Sequence, residues 1–162
     1  MIIDWFDAGA ERYPDQACIE DGGRPLSYRE VLAMTQRIAH AILATAGERA
    51  KIGLYSPNCA PGLVTALGIF RSGAAYVPLN ARDSVEDNGW FLDFAECELL
   101  FVHSSFAAHL ARLRELAPRL RQFVCIDREL PGTPSLEQWS AAYPAAPVGV
   151  RRGPDDVAII KS

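Results

Sequence analysis

The chain has 162 residues, 49% of them hydrophobic and 22% charged, with a formal net charge of −4. That length can bury roughly 70% of its unfolded surface and so build a true core. The acidic balance excludes a basic nucleic-acid groove, and no apolar run approaches the ~20 residues that a membrane-spanning helix needs.

From the N-terminus, residues 2–13 carry apolar side chains at 2, 3, 5, 6 and 10, the spacing of a short amphipathic helix that Pro14-Asp15 ends. Residues 17–20 and 24–28 flank Asp21-Gly22-Gly23, which predicts a β-hairpin, because such a turn needs positive φ. Ser27 and Glu30 form a capping box for a long helix whose apolar face runs from Val31 to Leu43 and which ends near Gly47.

From Lys51 the pattern becomes regular strand–helix alternation. Strands are predicted at 51–55, 74–79, 98–102 and 122–126, recurring about every 23 to 25 residues. The helices between them start at Asn58 (with Pro61 in the first turn), at Ser84, and at Ser104 or Ser105. Repeated βα units imply a parallel sheet covered on both faces: an α/β, three-layer, Rossmann-like fold of four or five strands. Residues 128–162 break the rhythm with Pro131, Pro134, Pro144 and Pro147, a short helix capped by Ser135 and Gln138, and a final strand at 157–161. The domain expectation is a single unit over 1–162: helix, hairpin and long helix to residue 50, βα repeats over 51–127, then a connection and the last strand.

Four cysteines (18, 59, 97, 125) and three histidines (40, 103, 109) show no metal-ligand spacing. Met1 to Asp4 turns acidic at once, unlike a secretory leader, so free thiols in a reducing cytoplasm are the expected setting. Arg112, Arg114, Arg119 and Arg121 lie at helical spacing around Glu115 and read as a solvated helix face. Trp90, Phe91 and Phe94 are expected in the core, and Tyr28 and Tyr76 as packing residues. His103 is expected to be a loop histidine, and Gly73 to end the preceding helix. No G-x-G-x-x-G, P-loop or G-x-S-x-G motif occurs, so no complete catalytic constellation is present.

Four segments nevertheless carry a resemblance. Leu26-Ser-Tyr-Arg-Glu-Val-Leu32, Gly53-Leu-Tyr-Ser-Pro-Asn58, Phe70-Arg-Ser-Gly-Ala-Ala-Tyr-Val-Pro-Leu-Asn-Ala-Arg82 and Asp155-Asp-Val-Ala-Ile-Ile-Lys-Ser162 follow one another as in adenylate-forming enzymes. That family holds acyl- and aryl-CoA synthetases, peptide-synthetase adenylation domains and beetle luciferases. In it the last segment leads into a Ser/Thr/Gly-rich phosphate loop. The resemblance therefore implies the N-terminal part of an ATP-dependent acid–CoA ligase, cut before that loop and inactive alone. A sheet cut at that point would expose an edge through which the chain could self-associate.

The resemblance implies two steps: a carboxylic acid attacks the α-phosphate of ATP with Mg2+, and coenzyme A then displaces AMP. No catalytic residue carries over. Arg82, which ends the family's "N-P-R" segment with Ala81 in place of the proline, carries over as a contact to a coenzyme A phosphate. A guanidinium suits that bidentate role. The competing reading is that Arg82 pairs with Asp83 or Glu86. Two other whole-chain readings stay open: a peptide-synthetase adenylation domain, and a non-catalytic flavodoxin-like module that docks a partner along the sheet edge.

Overall fold

The structure, a computed structural model, describes residues 2–150, 152, 153 and 155–161. Its centre is a four-stranded, all-parallel sheet in the order β4-β3-β5-β6, formed by β3 (Lys51–Tyr55), β4 (Ala75–Pro78), β5 (Leu99–Val102) and β6 (Gln122–Cys125). Ahead of it stand α1 (Ile2–Arg12), β1 (Ala17–Ile19), β2 (Leu26–Ser27) and α2 (Tyr28–Ala46). Between the strands lie α3 (Ala60–Arg71), α4 (Val85–Phe94), a 3-10 turn over Ser104–His109 and α5 (Leu110–Leu116), and α6 (Leu136–Ser140) follows β6.

Period-two alternation divides the core cleanly. Ile52, Leu54, Leu99, Phe101 and Val124 face a cluster shared with α1, α2, α3 and α6. Tyr55, Leu100, Val102 and Phe123 face a second cluster shared with α4 and α5. The result is three layers. Gly68 lets α2 and α3 approach, since a Cβ there would lie 2.5 Å from Ile38 Cγ2. The Arg71 guanidinium, almost fully buried, pairs with Asp7 of α1 and donates from Nε to Thr35 Oγ1 at 3.1 Å, locking α1, α2 and α3 together.

The hairpin forms antiparallel as β1 and β2. The Ser27–Glu30 capping box is complete, and Gly47 ends α2 at φ 82°. Ser84 and Ser135 also cap as expected, the latter with Gln138 completing a box. Besides the single helix face expected for Arg112 to Arg121, which fails at Arg119 and Arg121 because α5 ends at Leu116, four expectations need correction. The N-cap of α3 is Cys59, not Asn58, and the N–H of Ala60 is taken by Asp21 Oδ2 at 2.7 Å, from the hairpin turn. The 3-10 turn after β5 is capped by His103, whose Nδ1 accepts from the N–H of Ser105.

Third, Trp90 and Phe94 are not core residues: they are 63% and 67% exposed and stack on each other at 5.2 Å. Helix α4 turns Asn88, Phe91 and Leu92 inward, so residues 90 and 94 fall on its outer face. Only Phe91 of the aromatic trio is buried. Fourth, the final strand reduces to one parallel bridge, Tyr76 to Ile159, on the outer side of β4.

Candidate functional site

In a doubly wound sheet, ligands bind outside the carboxyl ends of the strands, at the point where strand order reverses. Here β3 lies between β4 and β5, so the connections leave in opposite directions and the switch lies at the ends of β3 and β5. Four loops converge on that edge: residues 56–59 after β3, 79–84 after β4, 103–105 after β5 and 126–128 after β6.

Beside β3 and β4 the edge holds a cavity of about 530 Å³, roofed by Ile19, Glu20 and Asp21 of the hairpin and floored by Leu54, Ser56, Tyr76 and Pro78. Asp21 thus both caps α3 and lines the opening. At the switch point Tyr55 is fully buried and stacks on Phe106 at 3.9 Å, with its hydroxyl 3.1 Å from His109 Nδ1. Burial pushes the Tyr55 pKa up, so the phenol stays protonated and serves as packing with a polar tip.

The loop after β4 is pinned by Asn80. Its Oδ1 accepts from the Arg82 N–H at 3.0 Å, its Nδ2 donates to Asp83 Oδ1 at 2.7 Å, and its carbonyl accepts from Asn88 Nδ2. Ser84 then accepts from the Asp87 N–H and starts α4. Asp83 is therefore held by Asn80, and Glu86 by Arg112 at 3.4 Å. Neither pairs with Arg82, whose exposed guanidinium has no partner among the described residues. The backbone under Arg82 is fixed while its charge is free.

On the far side, Asp127 collects donors from the next strand end. It accepts from Ser104 N–H at 2.8 Å, Ser104 Oγ at 2.6 Å and Cys125 Sγ at 3.3 Å, and lies 3.6 Å from His103 Nε2. Partial burial opposes its ionisation, but the Ser104 and Cys125 hydrogen bonds and the His103 charge hold its pKa down to about 2. His103 thus has an acidic neighbour that its sequence context hides. The signal was available in register: Val102 sits opposite Cys125, so residues 103–104 and 126–127 leave the sheet side by side. The geometry makes a tie between two loops rather than a reactive dyad.

Among the described residues no group of three or more His, Cys, Asp and Glu side chains could hold a metal ion, and no helix is long and apolar enough to cross a membrane. Burial pushes the Cys97 thiol up to about 12 and raises Cys125 and Cys18 as well.

The family model for AMP-binding enzymes matches residues 6–161. The chain is 30% identical to medium-chain acyl-CoA ligase Mig of Mycobacterium avium over a 173-residue alignment, which covers 94% of this chain and 31% of that protein. It is 38% identical over 82 residues to N-(5-amino-5-carboxypentanoyl)-L-cysteinyl-D-valine synthase of Streptomyces clavuligerus, covering 49% of this chain and 10% of that protein. The crystal structure of the anthranilate CoA ligase AuaEII in complex with anthranoyl-AMP superposes with a TM-score of 0.88 at 18% identity, over 97% of this chain and 30% of that one. The chain spans from about 2% to 31% of the length of the curated relatives it matches.

Proposed function

This chain belongs to the family of AMP-binding, adenylate-forming enzymes, and from that premise we propose that it is the N-terminal part of an ATP-dependent acid–CoA ligase. In that reaction a carboxylate oxygen attacks the α-phosphate of ATP and pyrophosphate leaves. The thiol of coenzyme A then attacks the acyl carbon, and AMP leaves. The chain's carboxyl edge forms one wall of the site, with Arg82 receiving a phosphate of coenzyme A. Mg2+ would accompany the ATP on its phosphates; among the described residues no group of three or more His, Cys, Asp and Glu side chains could hold it.

One observation carries the reading: Arg82 projects an unpartnered guanidinium from a loop fixed by Asn80 at the edge where such folds bind nucleotides. A bound dianion would gain a charge-assisted, bidentate contact there without breaking an existing ion pair. The match to the cysteinyl-valine synthase supports the alternative, an adenylation domain that loads a carrier-bound thiol instead of coenzyme A.

The test uses the natural polypeptide that carries this chain, supplied with a panel of carboxylic acids. The ligase reading expects ATP–pyrophosphate exchange and thioester formation on free coenzyme A. Arg82→Ala should raise KM for coenzyme A about tenfold, the loss of one charge-assisted contact, while leaving pyrophosphate exchange unchanged. Acyl transfer to a carrier domain but not to coenzyme A would select the peptide-synthetase alternative. The 162-residue chain alone should catalyse no exchange.

A further inference from the structure

The segment that joins α6 to the edge of β4 crosses the face of the molecule, with the carbonyl of Ala146 3.2 Å from His40 Nε2 on α2. Its far end, residues 157–160, meets β4 through only two backbone hydrogen bonds. Tyr76 N–H donates to the Ala158 carbonyl and Ile160 N–H to the Tyr76 carbonyl, both at 2.9 Å. Two such bonds specify a register only weakly by themselves, and a slip of one residue would turn every side chain, Ile160 included, to the other face. Contacts outside the ladder therefore share in setting the register.

Arg152 is placed to do this. Its Nε donates to the carbonyl of Gly73 at 2.5 Å, and its Nη1 donates to the carbonyl of Val157. One rigid guanidinium thus joins the turn that begins β4 to the residue that begins the edge segment. The seat beside it is cut for a close fit. Gly73 has φ 77°, and a Cβ there would lie 2.5 Å from Val150 Cγ1 and 3.8 Å from Arg152 Nε. Between the two contacts, Gly153 N–H donates to Asp156 Oδ2 at 2.8 Å and tightens the intervening turn. Ile160, the last anchored residue, packs against the cluster under α4.

We propose that Arg152 is a positioning residue: it fixes the register of residues 157–160 on β4, and thereby fixes where the chain after Lys161 leaves the carboxyl edge. The role of that exit in ATP handling rests on the reading given under Proposed function; the register itself does not.

Two measurements separate these. In the 162-residue chain, Arg152→Ala should speed amide hydrogen exchange at Tyr76 and Ile160 at least tenfold, with Phe101 in β5 unchanged. Arg152→Lys, which keeps a donor but loses the fork, should fall between. Gly73→Ala should speed the same two amides with Arg152 intact. Unchanged exchange at Tyr76 and Ile160 in Arg152→Ala would overturn the proposal. In the natural polypeptide, Arg152→Ala should raise KM for ATP about tenfold at unchanged KM for the acid and unchanged thermal midpoint, with partial recovery in Arg152→Lys. Faster exchange without a change in KM for ATP would refute the role at the nucleotide while leaving the register. A wild-type polypeptide with no ATP-dependent activity would refute the ligase reading and leave the exchange result standing.

Discussion

The two edges of the central sheet solve opposite problems. At the amino edge α2, α4 and α5 end, and their carbonyl dipoles attract cations. Lys51 and Arg119 converge there on Glu96, with Lys51 Nζ 2.5 Å from Glu96 Oε2, and Arg121 lies 3.9 Å from Glu98. A polar hollow of about 400 Å³ lies between them, and every cation around it has a carboxylate within 4.0 Å. At the carboxyl edge Asp21 and Asp127 accept from the loop N–H groups of Ala60 and Ser104, while Glu20 at the cavity rim and Arg82 on the next loop have no ion pair among the described residues. The amino edge closes on itself; the carboxyl edge leaves charge unmatched on loops held by their own hydrogen bonds.

Strain follows the same division. The two non-glycine residues with positive φ among those described, Arg49 at 63° and Glu96 at 57°, both line the amino-edge hollow. Glu96 occupies the left-handed position of a Schellman turn, with Cys97 N–H on Leu92 O and its own N–H on Asp93 O. Glycine is favoured at that position. The carboxylate offsets the strain by bridging Lys51 and Arg119, which hold its pKa below the usual range.

A substitution in the shared middle of the sheet should damage both edges at once. Phe101 is fully buried and packs edge-on against Trp139, so Phe101→Ala should cost about 3–5 kcal/mol in denaturant unfolding. Asp127→Ala should cost about 2 kcal/mol, because Ser104 N–H and Oγ lose their acceptor.

Asp127 also predicts an acid limb. Its folded pKa of about 2 lies below the unfolded value near 4, so its contribution is full above pH ~4 and lost as pH falls toward 2. Urea titrations from pH 5 to pH 2 should show wild type losing about 1–2 kcal/mol more than Asp127→Asn. An identical acid limb in the two proteins would remove Asp127 as a stabilising tie.

Glu96→Gly exchanges ion pairs for relief of strain, so the thermal midpoint should move by less than roughly 2 °C. The variant should also be less salt-sensitive than wild type between low salt and 1 M. Smallest of all, Arg82→Ala should change stability by no more than about 0.5 kcal/mol, since nothing in the fold leans on that side chain. A larger loss would place Arg82 in the scaffold, and the contrast between the edges would fail.

What could be read from the sequence was what local chemistry decides. The bounds of β3 and the boxes at Ser27–Glu30 and Ser135–Gln138 rest on neighbours within five residues and agree with the structure. What escaped depends on distant chain. Asp21 reaches across 39 residues to cap α3, displacing the expected Asn58. Asp127 meets His103 and Ser104 only through strand register. Trp90 and Phe94 looked like core because aromatic residues usually are, but the face of α4 that packs is set by Asn88, Phe91 and Leu92. Arg82 was named from the sequence; that its charge is unmatched became visible only with Asn80 and Arg112 in place.

The most direct measurement is an NMR titration of the 162-residue chain with millimolar coenzyme A, wild type against Arg82→Ala. The predicted result is amide shifts confined to residues 56–59, 79–84 and 103–105, lost in Arg82→Ala. Shifts centred on residues 47–51, 96–98 and 119–121, or a pattern indifferent to Arg82, would contradict the assignment of the carboxyl edge as the working face.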